Sequence, residues 1–110
     1  MINKCGNKMI KKLKTPIGTW DVFRAKIIDI NLGDEDAFGM CLSKKMHVVI
    51  RDDLNIDVER QTLMHEIIHT IEPQCGLDLP ETTVDSIATH LLFILRNNPK
   101  LVKYLLHDGQ

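Results

Sequence analysis

His65, Glu66 and His69 form the pattern His-Glu-Ile-Ile-His, and these residue types at this spacing point to metal chemistry. Cβ atoms four residues apart on a helix lie about 5 to 6 Å from each other, and imidazole nitrogens bind zinc at about 2.0 to 2.1 Å, so both rings reach one ion. Glu66 is turned about 100° from the first histidine. That turn holds its carboxylate beside the ion rather than on it, where a general base for water belongs. A shuffled chain of this composition would contain the pattern about one time in a hundred, so the flanking residues have to decide. Leu63, Met64, Ile67, Ile68 and Ile71 recur at helical spacing and give the segment a buried face. The competing reading, two half-buried core histidines, leaves Glu66 beside a core without a partner.

A catalytic zinc takes three protein ligands and keeps one position for water, so a third ligand must come from elsewhere. Glu81 lies twelve residues after His69, beyond a helix end and a loop, a separation that lets an antiparallel second helix bring its first turn over the metal. Asp85, four residues on, shares that face and is placed to accept the free ring N–H of a ligand histidine, fixing its tautomer. Asp85 itself and Glu72, three residues after His69, are the rival third ligands. His90 is nine residues from Glu81, about 180° around the same helix, and faces away.

Those side chains need a scaffold. Met9 to Lys14 reads as a short strand, and Thr15-Pro16-Ile17-Gly18 as a turn into Thr19 to Phe23. Arg24 to Leu32 fits either period: Trp20, Phe23, Ile27 and Ile30 make a helical stripe, while Ile27 to Ile30 also suits a strand. Gly33-Asp34-Glu35-Asp36 is an acidic loop without the further oxygen ligands of a calcium site. Ala37–Leu42, Ser43-Lys44-Lys45 and Met46–Arg51 read as a hairpin in which Met46, Val48 and Ile50 alternate with His47, Val49 and Arg51, a sheet able to cover the apolar side of the next helix. His47 belongs to the sheet surface, with the rim of the metal site as its other option.

The metal helix is expected from about Ile56 to Glu72, capped by Asn55 or Asp53, with Asp57 and Glu59 near its positive start. Pro73 ends it and Gly76 closes it. Asp78-Leu79-Pro80-Glu81 announces a second helix to about Arg96, with Val84, Ile87, Ala88, Leu91, Leu92 and Leu95 facing inward. Asn98 is expected to cap a short third helix with Pro99 in first place and Leu101, Val102, Leu105 and Leu106 packed inward.

Composition sets the outer limits. A chain of 110 residues with 44% hydrophobic residues forms one domain with a modest core. The expected fold is therefore a single α+β domain over residues 1–110: a small antiparallel sheet packed on the His-Glu-x-x-His helix, a second helix with the acidic ligand and a short C-terminal helix. Residues 1–14, basic through Lys4, Lys8, Lys11, Lys12 and Lys14, are read as a loosely ordered start. A formal net charge of −1 gives no field to attract nucleic acid or an anionic membrane, and no run approaches the roughly 20 apolar residues of a membrane span. Cys5, Cys41 and Cys75 are an odd number without C-x-x-C spacing, and Met1 to Lys14 lacks the apolar core of a secretory signal, so a reducing cytoplasm is the expected setting.

His65-Glu66-x-x-His69 followed by Glu81-x-x-x-Asp85 resembles the gluzincin arrangement, in which the later glutamate is the third zinc ligand and the aspartate supports a histidine. More narrowly, Glu81-Thr82-Thr83-Val84-Asp85-Ser86-Ile87-Ala88 is similar to the E-x-E-A-N-x-F-A helix of ImmA/IrrE-type metallopeptidases, including short ones encoded by phages and mobile elements. Likeness extends over about Ala37 to Leu106. It departs at Thr83, where the pattern often has a second acid, at Asp85 for Asn, and at Ile87 for Phe. The resemblance implies a minimal zincin-like domain and a zinc-dependent peptidase acting on a protein substrate such as a DNA-binding repressor, although this chain has no evident DNA-binding element of its own. It also implies an extended substrate lying along a sheet edge, here a strand of the 37–51 hairpin. For a second oxyanion donor the candidates are Tyr104 and His107. A reading from another class is a non-catalytic, zinc-stabilised module that binds a regulator; the oligomeric state is open.

Overall fold

A computed structural model describes residues 8–26 and 38–107. Four strands, β1 (Lys8–Thr15), β2 (Gly18–Ala25), β3 (Gly39–Leu42) and β4 (His47–Arg51), precede three helices, α1 (Ile56–Cys75), α2 (Glu81–Asn97) and α3 (Pro99–Leu106). The α+β class agrees with the sequence reading. The acidic loop at 33–36 and most of the ambiguous segment 24–32 lie outside the described residues. Arg24 and Ala25 fall inside β2, so the helical stripe through Trp20 and Phe23 is overruled by strand pairing.

The sheet is mixed, not antiparallel, with the order β1-β2-β4-β3. β1 pairs antiparallel to β2 and β3 antiparallel to β4, but β2 and β4 run parallel, with Val22 beside Val48 and Arg24 beside Ile50. The cause is where β4 inserts. β2 ends and β3 begins at the same end of the sheet, one strand-width apart, and the β3–β4 hairpin folds β4 back into that gap. Alternation within each strand is visible in a sequence, whereas the neighbour that fills a gap is not. Lys11, Lys12 and Lys14 are exposed on β1, and Lys12 donates to Asp21 at 3.0 Å. Lysines on an edge strand discourage further strand pairing.

Period-two alternation sorts the side chains as expected. Trp20 and Val22 of β2 and Val48 and Ile50 of β4 form a buried cluster, against which Ile10, Leu13, Cys41, Met46, Leu54 and Leu63 of α1 pack. Each such side chain contributes about 1.5 to 3 kcal/mol on burial. Ala25 and Val49 occupy the other face with Met40 and Leu42. His47 belongs there too, its ring edge-on to Phe23 with centroids 4.8 Å apart, so it is a sheet residue and not part of the metal rim. Met46, read as the first residue of the second strand, sits in the turn with φ 54°, and β4 starts one residue later. Gly39 brings β3 close to the helix: a Cβ there would lie 2.8 Å from the Val49 carbonyl oxygen and 2.9 Å from Thr62 Cγ2 of α1.

Asn55 is the cap of α1, its Oδ1 accepting from the Val58 N–H at 3.0 Å. The helix passes through Pro73 and stops three residues later than expected, at Cys75. In the last turn a missing N–H forfeits a single intrahelical bond. Gly76, at φ 65°, closes the helix as expected, and the Leu77 N–H returns to the Glu72 carbonyl. Arg24 of β2 clasps Glu59 of α1 through Nε and Nη2 at 2.7 and 2.9 Å, fixing helix to sheet.

α2 packs on α1 through Ile68, Val84 and Ala88, flanked by Met64 and Leu79. The rest of the expected inward stripe does not follow. Ile87 and Leu91 are exposed, as are Leu101, Leu105 and Leu106, and no residue of α3 is buried. Helical spacing reports that a face is apolar and not whether an element exists to cover it. Asn98 holds the cap position of α3 and Pro99 the first position, as expected, but the Asn98 side chain makes no capping bond there: its Nδ2 donates backward to the Ile94 carbonyl at 2.8 Å, finishing α2. Among the described residues no helix is long and apolar enough to cross a membrane.

Candidate metal centre

α1 presents His65 and His69 one turn apart, and α2 begins at Glu81 directly over them. His65 Nε2 lies 2.9 Å and His69 Nε2 3.2 Å from Glu81 Oε2, and the two Nε2 atoms are 3.2 Å apart. Ligand atoms at about 2.0 to 2.1 Å from a tetrahedral zinc are roughly 3.3 Å from one another, so this triangle has the size that a metal ion needs. His65, His69 and Glu81 form a group that could hold a metal ion.

The far side of each ring decides what the near side is. Glu72 carries a carboxylate whose pKa is pulled down, first by the Leu79 N–H that donates to Oε2 at 2.8 Å and then by His69. Its Oε1 is hydrogen-bonded to Nδ1 of His69. With Glu72 ionised, the shared proton belongs on Nδ1, and the neutral ring turns an Nε2 lone pair toward the triangle. Asp85 stands 3.5 Å from Nδ1 of His65, the corresponding place for the other ring. Three acceptors then converge, and a cation satisfies all three at once.

Protonation of His69 is the alternative partner for those charges. Burial works against the charged imidazole, but the Glu72 hydrogen bond and the nearby Glu66 and Glu81 outweigh it and raise the pKa of His69. A metal competes with that proton, as it does at every histidine ligand.

Glu66 is buried beside the triangle. Removal from water raises its pKa, the charges of His69 and His65 pull the other way, and Glu81 adds to the rise. No hydrogen bond to its carboxylate is found among the described residues. Glu66 is only 6% exposed, yet it lines the clefts on both sides of the triangle.

No protein-family model, no curated protein and no solved structure shows a significant match to this chain. The site must therefore be read from its own chemistry.

Two adjoining clefts meet at the triangle. One, of about 500 Å3, runs between Cys41 of β3 and Ser43 of the turn after it on one side and Pro73 in the last turn of α1, with Leu77 and Asp78 beyond that helix, on the other. The other, of about 770 Å3, runs past Phe38, Asp57, Gln61 and Arg96. Gly39, Glu66 and Glu81 line both, so the metal group sits mid-way along a continuous groove bordered by β3. The Cys41 thiol is pushed up to about 11, first by burial, and it stays protonated near neutrality.

The structure thus brings His65, His69 and Glu81 together, with Glu66 and Asp85 beside them. Glu72, a rival ligand in the sequence, holds His69 from behind instead. Tyr104 and His107 lie exposed at the end of the chain's described part and do not line the groove. His90 faces away as expected, its Nδ1 bonded to the Ser86 carbonyl at 2.7 Å. Unforeseen were Gly39, Cys41 and Ser43 as groove residues. Gly39 carried the only available signal, a glycine inside a strand pattern, which marks a close backbone approach.

Proposed function

We propose that the protein is a zinc-dependent peptidase that hydrolyses a peptide bond in a protein substrate, with Glu66 as general base. One observation carries this reading: three acceptor atoms from two helices converge beside the Glu66 carboxylate, which lines the groove on both sides of them. Two imidazoles and a carboxylate are a donor set that zinc accepts, and three protein ligands leave a position free. When bound, the ion supplies Lewis acidity, which makes water nucleophilic near neutral pH and polarises a carbonyl.

The chain's own groups do the rest. His65 and His69 would hold the ion from α1 and Glu81 from α2, with Glu72 behind the ring of His69 and Asp85 behind that of His65. Glu66 accepts the proton of the attacking water and passes it to the leaving amine. Its raised pKa makes it a stronger base than an exposed carboxylate. β3, outermost of the described strands and bordering the groove, offers an edge against which an extended polypeptide can pair. The resemblance to ImmA/IrrE-type peptidases supports a regulatory protein such as a repressor as substrate, and the unpaired Cys41 and Cys75 support a reducing, cytoplasmic setting.

The test uses tag-free protein and a proteome-derived peptide library read by mass spectrometry. Wild type is expected to hold about one zinc per chain and to create new peptide termini, and Glu66→Gln to keep the zinc and create none. Cleavage by the variant at the wild-type rate would falsify the assignment.

A second reading is favoured by a separate observation. Among the described residues the buried apolar cluster between α1 and α2 is small, Ile68, Val84 and Ala88 with the half-buried Met64 and Leu79, so a metal would be a principal tie between these helices even without catalysis. In that case Glu66→Gln leaves both zinc content and the biological effect unchanged.

A further inference from the structure

Ile87, Leu91 and Ile94 recur at i, i+4 and i+7 along α2 and are all exposed, between 39% and 46%. Ile87 stands about 120° around α2 from Glu81, and Ile71 of α1 about 160° around its helix from His69. These residues therefore occupy the flank of the helix pair turned away from the metal. Past Asn98, α3 adds Leu101, Leu105 and Leu106, the last two 67% and 76% exposed. An eight-residue helix that buries nothing is not stable by itself in water, where isolated helices need about 12 to 15 residues. Among the described residues nothing buries its apolar side.

We propose that this face pairs with the same face of a second copy of the chain, forming a two-fold symmetric dimer. The area matches. The exposed fractions of Ile71, Ile87, Leu91, Ile94, Leu101, Leu105 and Leu106 amount to roughly 600 Å2 of apolar surface if a large side chain spans about 170 Å2. A stable complex buries about 600 to 1,000 Å2 per partner, of which about 65% is apolar at a dimer core. Charge matches as well. In a two-fold contact the same patch meets itself, residue i against j and j against i, so a patch of like charges would repel itself, but the stripe carries none; Lys100 and Lys103 fall on the opposite side of α3 by helical spacing. Two antiparallel helix pairs stacked by such stripes make a four-helix arrangement. The groove stays open, because the metal group is on the other flank.

Sedimentation velocity of the full chain over about 1 to 200 µM tests this. The mass is expected to rise from 12.6 kDa toward twice that value. Ile94→Lys combined with Leu105→Lys, both exposed in the single copy, should weaken self-association by about 100-fold or more while the circular dichroism spectrum is kept. Should that variant fold poorly, hydrogen exchange of wild type decides: the second half of α2 and all of α3 should exchange more slowly as concentration rises. A wild-type chain that remains at 12.6 kDa throughout, with exchange independent of concentration, overturns the dimer and leaves the face to another protein or a lipid surface. A folded double-lysine variant that dimerises like wild type overturns it too.

Discussion

Toward the sheet, α1 sets Leu63 against Trp20, Val22, Val48 and Ile50 and fastens itself with the Arg24–Glu59 pair. Toward α2, the same helix offers two imidazoles, and its apolar contact shrinks to Ile68 against Val84 and Ala88. The first face is closed by packing that needs nothing from outside the chain. The second is closed by polar groups whose charges cancel only with a proton or a metal between them. A helix so placed separates the part of the domain that holds its shape from the part that is free to do chemistry. It also follows that the two faces should fail differently when disturbed.

The sharpest way to break the comparison is Glu66→Gln. The substitution keeps the size and shape of the side chain, so cleavage is expected to fall by about 10²- to 10⁴-fold with zinc content unchanged, as followed by peptide mass spectrometry and elemental analysis. If Glu66 were instead part of the core that closes the sheet side, the melting temperature would move and activity would follow it. Glu72→Gln acts one step back. Losing the charge behind His69 should weaken zinc binding by about 10- to 100-fold, measured by competition with a chromogenic chelator, with little effect on the sheet. Removal of metal by a chelator sharpens the same point: hydrogen exchange should speed up in the first turns of α2 and stay slow in β2 and β4.

On the sheet side the expected effects are energetic. Val48→Ala removes buried methyl groups between Trp20, Val22 and Ile50 and should cost about 2 kcal/mol in denaturant unfolding, without changing zinc stoichiometry. Glu59→Gln should cost about 1 kcal/mol. Its pH dependence has a definite sign. The Arg24 hydrogen bond holds the Glu59 pKa below its ordinary value in the folded protein. The contribution is therefore complete above the unfolded value and is lost as pH falls through the folded one. Wild type and Glu59→Gln should converge in stability toward acid pH, and a constant gap down to low pH would show that the pair is not what joins β2 to α1.

Much of this was legible in the sequence, and what was not has definite physical reasons. Residue spacing carries local geometry, so the hairpin alternation, the Asn55 cap, the Gly76 closure and the His65–His69 pair could be read directly. Glu81 could be read because a loop of known length separates it from His69. What depends on a third element could not. The parallel pairing of β2 with β4 comes from the insertion of β4 into a gap, which no pattern in either strand records. Ile87, Leu91 and Leu105 look like core residues because an apolar stripe is the same whether its cover belongs to the chain or to another molecule. Pro73 reads as a stop from sequence, yet near a helix end its missing N–H costs a single bond and α1 continues through it. Glu72 was seen as a possible ligand because its spacing from His69 is right for contact, and contact is what it makes, on the other nitrogen.

X-ray absorption at the zinc edge on tag-free protein tests the centre most directly. The expected spectrum has one zinc per chain in a shell of nitrogen and oxygen at about 2.0 to 2.1 Å, with two imidazoles, and it disappears in His69→Ala. A protein that purifies without stoichiometric metal, takes up none from a zinc buffer and is unchanged by His69→Ala would contradict it.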